Sequence, residues 1–407
     1  MKASVCIISL LCMLLRFSPA SCFQNNLHRE EVSDALDRFV LKERAFIQRG
    51  LNNSSIYISM ISEAFRREGL PGDLVWLPLI ESGFSVHALS RAGAAGLWQF
   101  MPSTARHYRL RIDFWVDERL DPYKSTQKAV KLLKELYRFY HNWELTLAAY
   151  NAGMGAVNRA IEMGKTTDYW ELCSMKLLRR ETRDYVPRFY AAVHIARDPG
   201  LYGFTVNGLR GFPDYETLLA EKPLDLTILA LKARIQLDDL RFLNPELKRL
   251  ITPIGEKYAL RVPKYRFEQV VSVYHSLPED EIHGLVWHTV KTGETLGEIA
   301  QRYETKVTLL KQINAISNSR MVQAGKKILV PVGSQTTVHS DAPFIPKRGF
   351  LTQEIVYTIR EGDTIWRIAH RFRTDVETIL SLNGLSFESI VMPGDRIILW
   401  IDIALQR

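Results

Sequence analysis

The sequence predicts a multidomain protein in which a mainly α-helical domain is followed by small βααβ modules. Three observations lead there. The 407 residues exceed the usual size of one hydrophobic core. Apolar residues recur at helical spacing through the first half, and an ungapped internal repeat lies towards the C-terminus. With 46% hydrophobic and 24% charged residues, the composition excludes collagenous, low-complexity and multi-pass membrane classes. A formal charge of +8 suits polyanionic surroundings such as a cell wall or anionic lipid. No basic stripe interleaved with aromatics is present, so nucleic acid is not expected as a partner.

Residues 1–22 read as an export signal. Lys2 is the positive n-region, Ala3 to Leu15 is an apolar run too short to span a bilayer, and Ser18-Pro19-Ala20 supplies small residues for cleavage. A buried helix would leave Arg16 unexplained. Cys6 and Cys12 leave with this segment. Two outcomes stay open at Cys22. Pro19-Ala20-Ser21-Cys22 resembles a bacterial lipobox, which would put a lipid on Cys22 and tether the chain to a membrane, although such boxes prefer Leu where Pro19 stands. Cleavage after Ala20 would leave the chain untethered. Cys173 is expected to be a small buried side chain.

Residues 23–205 read as the helical domain, with its core at 53–197. Asn53 or Ser54 is expected to cap a helix whose apolar face includes Ile58, Ile61, Phe65 and Leu70, stopped by Gly69 and Pro71. Asp121-Pro122 opens another, with Ala129, Val130, Leu133, Leu136, Tyr137 and Tyr140 on one face.

The chemistry gathers in three stretches. Val75 to Phe84 is strongly apolar and carries Glu81 near its end. Burial penalises the charged carboxylate and raises its pKa, as a general acid near neutrality requires. A lone glutamate of this kind is more often a structural cap or ion pair; its company changes that weighting. Gly93 to Pro102 places small residues where a backbone must approach something closely, followed by Gln99 as a polar amide among apolar residues. Ala148 to Gly153 ends a short helix with Tyr150 and Asn151, Gly153 being an expected left-handed cap.

Glu81-Ser82, then Gly96-Leu97-Trp98-Gln99-Phe100-Met101-Pro102, then Ala149-Tyr150-Asn151-Ala152-Gly153, then Glu181-Thr182 and Tyr185-Val186, resemble in this order the motifs of family 1 lytic transglycosylases of the goose-lysozyme-like superfamily. The resemblance implies a lysozyme-like fold, Glu81 as the single acid/base, and Tyr150 hydrogen-bonding near it. It implies Gln99 and Asn151 on sugar substituents and Tyr185 lining the cleft. Ser82 either contacts the substrate or supports the Glu81 turn. Trp98 stands where Met is commoner, an apolar change expected to line the same cleft.

The repeat runs from His288 to Pro331 and again from Tyr357 to Trp400, a shift of 357 − 288 = 69. Gly293 falls on Gly362, Thr295 on Thr364, Asn314 on Asn383 and Gly325 on Gly394. Each unit reads strand, Gly-Glu/Asp-Thr turn, two short helices, strand. Thr295 or Thr364 caps the first helix, Leu296–Tyr303 or Ile365–Phe372, and Lys327–Val330 or Arg396–Leu399 is the closing strand. These units, at 286–332 and 355–402, resemble the LysM module. That implies binding of N-acetylglucosamine-containing glycans beside the turn and the loop after Asn314 or Asn383, with Gly293, Thr295, Asn314, Gly362, Thr364 and Asn383 as the site. The stretch 333–354 has linker chemistry. Residues 206–285 read as a connector holding a worn LysM-like copy at 217–264, in which Asn244 matches Asn314 but Lys222-Pro223-Leu224 replaces the turn.

The implied reaction needs one carboxylate. Asp113, Asp117, Glu118 and Asp121 read as surface loop charges, and His87, His107 and His141 lack ligand-like spacing, so no metal or cofactor is expected. The resemblance implies cleavage of peptidoglycan glycan strands between N-acetylmuramic acid and N-acetylglucosamine with 1,6-anhydro ends. It implies a place in the cell envelope, the periplasm, with lipid anchoring to the outer membrane if Cys22 is acylated. A lysozyme-type hydrolase and a non-catalytic wall-binding protein are the alternatives. The presence together of Glu81, Gln99, Tyr150 and Asn151 speaks against the second.

Overall fold

In the computed structural model, helix α1 (Glu30–Asp37) passes through one π turn into α2 (Arg44–Arg67). The structure describes residues 23, 26–206, 208–278, 285–303, 305–314, 316, 322–331, 352–359, 368, 372, 379, 383 and 394–402. The export signal, Cys22, Gly362, Thr364 and almost all of the linker 333–354 lie outside them. Helix α2 begins a full two turns before the expected caps, so Asn53 and Ser54 sit in its middle. Both are tolerated there because their side chains find partners. Ser54 Oγ donates to the Leu51 carbonyl at 2.7 Å, and Asn53 Nδ2 reaches across to the Gly83 carbonyl at 3.0 Å. The stop is where the sequence places it: Gly69 takes φ +67 just past the last turn, and Pro71 follows.

A short helix α3 (Leu77–Ser82) follows, then α4 (Pro102–His107), α5 (Pro122–Tyr140), α6 (Trp143–Ala152), α7 (Met154–Gly164), α8 (Tyr169–Ser174) and α9 (Arg180–Arg197). Asp121 caps α5 as expected, its Oδ1 accepting from Tyr123 N at 2.8 Å and Lys124 N at 2.9 Å. Helix α9 is the spine of this domain and buries Tyr185, Val186, Phe189 and Tyr190. Pro187 inside it has no N–H for the Arg183 carbonyl, and the Tyr169 hydroxyl lies 2.9 Å from that orphaned oxygen. Phe23 is fully buried against Trp143, Phe189 and Tyr190, which ties the start of the described chain to the same core. Cys173 is only half-buried, and burial pushes its thiol up to about 11.

Three two-stranded antiparallel sheets come next: β1 (Tyr215–Ala220) with β2 (Tyr258–Pro263), β3 (Leu285–Thr289) with β4 (Lys327–Pro331), and β5 (Thr352–Thr358) with β6 (Arg396–Asp402). Between β1 and β2 run α10 (Leu226–Ala233) and α11 (Leu237–Leu243); α12 (Phe267–Ser276) follows β2. Between β3 and β4 run α13 (Leu296–Arg302) and α14 (Val307–Ile313). One asparagine clasps each module. Asn314 donates to the Leu310 and Leu329 carbonyls and accepts from Leu329 N, all within 2.9 Å. Asn383 does the same with Ile379 and Ile398, and Asn244 with Leu240 and Arg261. The worn copy therefore keeps the architecture. Where its turn is missing, Asp225 caps α10 through Thr227 N and Ile228 N. The module built on β5 and β6 forms a compact unit of its own.

The connector is not a loose spacer. Trp115, Val116, Leu285, Ile313 and Leu329 share one buried cluster, joining the helical domain, the worn copy's Leu247 and the first repeat. Nor are the four acidic residues of 113–121 free surface charges. Asp121 is fully buried and Asp117 nearly so. Asp117 pairs with Arg119 at 2.7 Å, Glu118 with Lys124 at 2.5 Å, and Asp113 and Asp121 pair with Arg111 and Arg261. Sequence spacing cannot show that a second module covers this loop.

Candidate active site

Helix α3 has only six residues because Gly83 at φ +58 and Phe84 at φ +54 both turn left-handed behind it. That abrupt stop, pinned by Asn53 on the Gly83 carbonyl, leaves Glu81 half-buried on the last turn. The Tyr185 hydroxyl of α9 donates to Glu81 Oε1. Burial pushes the carboxyl up to about 7; the Tyr185 hydrogen bond opposes this, and the charge of Glu181 adds to the rise. The carboxylate is partly accessible yet closely ringed by protein, so it can meet a ligand while water solvates it poorly. Burial, then the negative charge of Glu81, pushes Tyr150 and Tyr185 well above the usual tyrosine range, so both hydroxyls keep their protons as donors.

Both tyrosines lie near Glu81, but only one bonds to it directly. Tyr150 donates to the Trp98 carbonyl at 2.7 Å, and Tyr185 is the group on Glu81. Ser82 is buried, its hydroxyl directed to the Leu97 carbonyl at 2.9 Å and the Pro78 carbonyl at 3.2 Å, so it supports the turn. Trp98 does not line the cleft. It is fully buried, stacked on Phe65 with its indole N–H on Thr126 Oγ1 at 2.9 Å. Volume explains the swap, because an indole fills a core position that also satisfies its one donor.

Gln99 sits at φ +46 on a tight turn. Its amide nitrogen donates to the Gly96 carbonyl at 2.9 Å and the Ala88 carbonyl at 3.2 Å, so its own carbonyl oxygen is what it offers a ligand. Asn151 accepts from Thr182 Oγ1 at 2.9 Å, which leaves its NH2 to donate. Gly153 takes φ +80 with ψ 148, joining α6 to α7 in a glycine-only conformation rather than a left-handed cap. The small-residue stretch does meet a close neighbour: a Cβ on Gly96 would lie 1.9 Å from the Arg119 carbonyl. Arg119 also donates to the Gly93 carbonyl at 2.6 Å and the Phe100 carbonyl at 3.0 Å. Its part as a support, and that of Thr182, were not read from the sequence; Thr182 carries a signal in the Glu-Thr pair, Arg119 none.

In the first repeat, Thr295 and Glu298 form a capping box. Lys291, Gly293, Glu294, Thr295, Val322 and Ala324 are among the residues around a groove of about 520 Å³, beside the turn where the glycan site was expected. Asn314 is not offered to that groove, since its amide is engaged in the clasp. Asn383 is engaged likewise.

Models of known families match in the same order. The Transglycosylase SLT domain covers residues 59–173, the LysM-like domain of lytic transglycosylase MltD covers 214–279, and the LysM domain covers 288–331 and 357–400. The chain is a lytic transglycosylase of the SLT family with LysM modules. This transglycosylase is similar along most of its length to the membrane-bound lytic murein transglycosylase D of Escherichia coli (strain K12). The two are 28% identical over 378 residues, 89% of this chain and 80% of that protein. An autolysin of Enterococcus faecalis is 30% identical over 112 residues, 28% of this chain and 15% of that protein. Among solved structures, the 70 kDa soluble lytic transglycosylase of Escherichia coli aligns at 18% identity and TM-score 0.32, over 49% of this chain and 44% of that one. No helix among the described residues is long and apolar enough to cross a membrane.

Proposed function

We propose that this transglycosylase cleaves the bond between N-acetylmuramic acid and N-acetylglucosamine in peptidoglycan and leaves 1,6-anhydro-N-acetylmuramic ends. The observation that carries this is Glu81, an enclosed carboxyl raised to about 7 with a tyrosine hydroxyl on one oxygen. Protonated, it gives its proton to the glycosidic oxygen as that bond breaks. The carboxylate left behind takes the proton from the C6 hydroxyl, whose oxygen bonds to C1. No water enters, and Glu81 ends protonated as it began. Gln99 through its carbonyl and Asn151 through its NH2 hold sugar substituents, while the 93–100 turn and Tyr150 shape the wall. The LysM modules hold the enzyme on the wall, which places it in the cell envelope. A lipid on Cys22 would add a membrane anchor.

Hydrolysis on the same scaffold has one observation in its favour: Glu181 is near enough to Glu81 to raise its pKa, and a second carboxylate can activate water. Mass spectrometry of muropeptides released from purified sacculi decides between them. Anhydro ends are expected; mainly reducing ends, one water heavier, would assign hydrolysis.

A further inference from the structure

Between the cleft and the LysM-like module lies a set of buried charges that the proposed chemistry does not use. Arg261 on β2 is 8% exposed, Glu246 3% and Asp121 0%. One guanidinium nitrogen donates to Asp121 Oδ2. Another donates to the Leu243 carbonyl at 2.9 Å and lies 3.3 Å from both Glu246 oxygens. Burial works against the charge on Arg261, but Glu246 and Asp121 outweigh it and hold the group firmly protonated. Simple adhesion between two modules does not require three buried charges, because apolar side chains of similar volume serve as well or better.

What sets this cluster apart is where its connections lead. The second oxygen of Asp121 caps α5, and Thr126 of α5 holds the Trp98 indole. The Asp117 amide donates to the Glu246 carbonyl at 2.9 Å, while the Asp117 carboxylate grips Arg119. Arg119 in turn carries both ends of the cleft turn through the Gly93 and Phe100 carbonyls. Segment 117–121 thus touches the LysM-like module on one side and the 93–100 turn on the other.

We propose that Arg261 is a positioning residue: through Asp121 and Glu246 it seats segment 117–121, which holds the 93–100 turn, and with it Gln99 and the Trp98 carbonyl, in working position. The LysM-like module then serves the cleft as a brace, consistent with its missing sugar-side turn. This rests on the assignment of Gln99 and Tyr150 to the site proposed above.

The test uses the full chain with Arg261→Lys, which keeps the charge but loses the two-pronged fork, and Asp121→Asn, which keeps the helix cap but weakens the bridge. Both variants are expected to speed amide exchange at Phe100 and its neighbours relative to α9. Cleavage of soluble glycan strands should fall about 10- to 100-fold in kcat/KM, as for a displaced positioning group. The alkaline limb of the pH profile should stay in place. Well-folded variants with unchanged exchange and unchanged kcat/KM would overturn the proposal, as would a lower melting temperature with full activity per folded molecule. If Glu81→Gln remains active while the exchange effect is present, the site assignment fails and the brace stands.

Discussion

At the scale of single residues, Glu81 and Tyr185 carry the proposed chemistry, and each makes a prediction. Glu81→Gln keeps the shape and removes the titrating proton, so cleavage should fall by ~10²–10⁴-fold. Its effect on stability has a defined sign. The folded pKa of about 7 lies above the ordinary glutamate value of about 4.5, so the folded chain binds the extra proton between those values and loses stability as pH rises through that window. The variant should flatten this slope and be at least as stable as the parent at pH 8. Thermal unfolding and glycan cleavage on one preparation check both; a less stable but active variant would mark Glu81 as a structural ion-pair residue. Tyr185→Phe removes the one interaction that lowers the Glu81 pKa, so the alkaline limb of kcat/KM should move to higher pH. A limb that stays or moves to lower pH would show that the hydroxyl does not tune Glu81.

At the scale of elements, the three asparagine clasps show one residue type doing the same mechanical work in three modules. Each bonds both the N–H and the carbonyl of one closing-strand residue, work that turn chemistry alone does not perform. Asn314→Ala would leave the Leu329 N–H and carbonyl unpaired, while the Leu310 carbonyl keeps the backbone N–H of residue 314. At ~1–3 kcal/mol for an unsatisfied buried group, the first repeat should lose on the order of 2–4 kcal/mol, read as faster exchange of the Leu329 amide. Lower affinity for sacculi with unchanged protection would instead return Asn314 to the glycan site. The helix that places Glu81 was partly legible. Its apolar run is in the sequence, whereas α2 starts before the expected caps because Asn53 and Ser54 find partners that only the folded chain supplies.

At the scale of the whole molecule, the first repeat is part of the enzyme's body. Leu285, Ile313 and Leu329 cover Trp115 and Val116. Removing residues 285–407 should therefore expose an apolar face, lower the melting temperature and promote aggregation. Removing residues 344–407, the separate compact unit, should leave the melting temperature of the rest unchanged while pelleting with sacculi weakens, because linked modules bind through effective concentration. Equal melting temperatures for both truncations would show that the shared cluster contributes no stability, and undiminished pelleting would remove the second repeat from the anchoring role.

The sequence by itself determined the helical domain, the small modules that follow it and the internal repeat, because these are written in local spacing: apolar periodicity, a turn glycine, a capping threonine. Only the tertiary structure decided which tyrosine meets Glu81, that Ser82 and Trp98 face inward, and that Asp121 is a buried bridge to another module. Those outcomes depend on which side chain from a distant part of the chain reaches a given carboxylate or carbonyl first. Chain spacing carries no record of that competition; packing settles it.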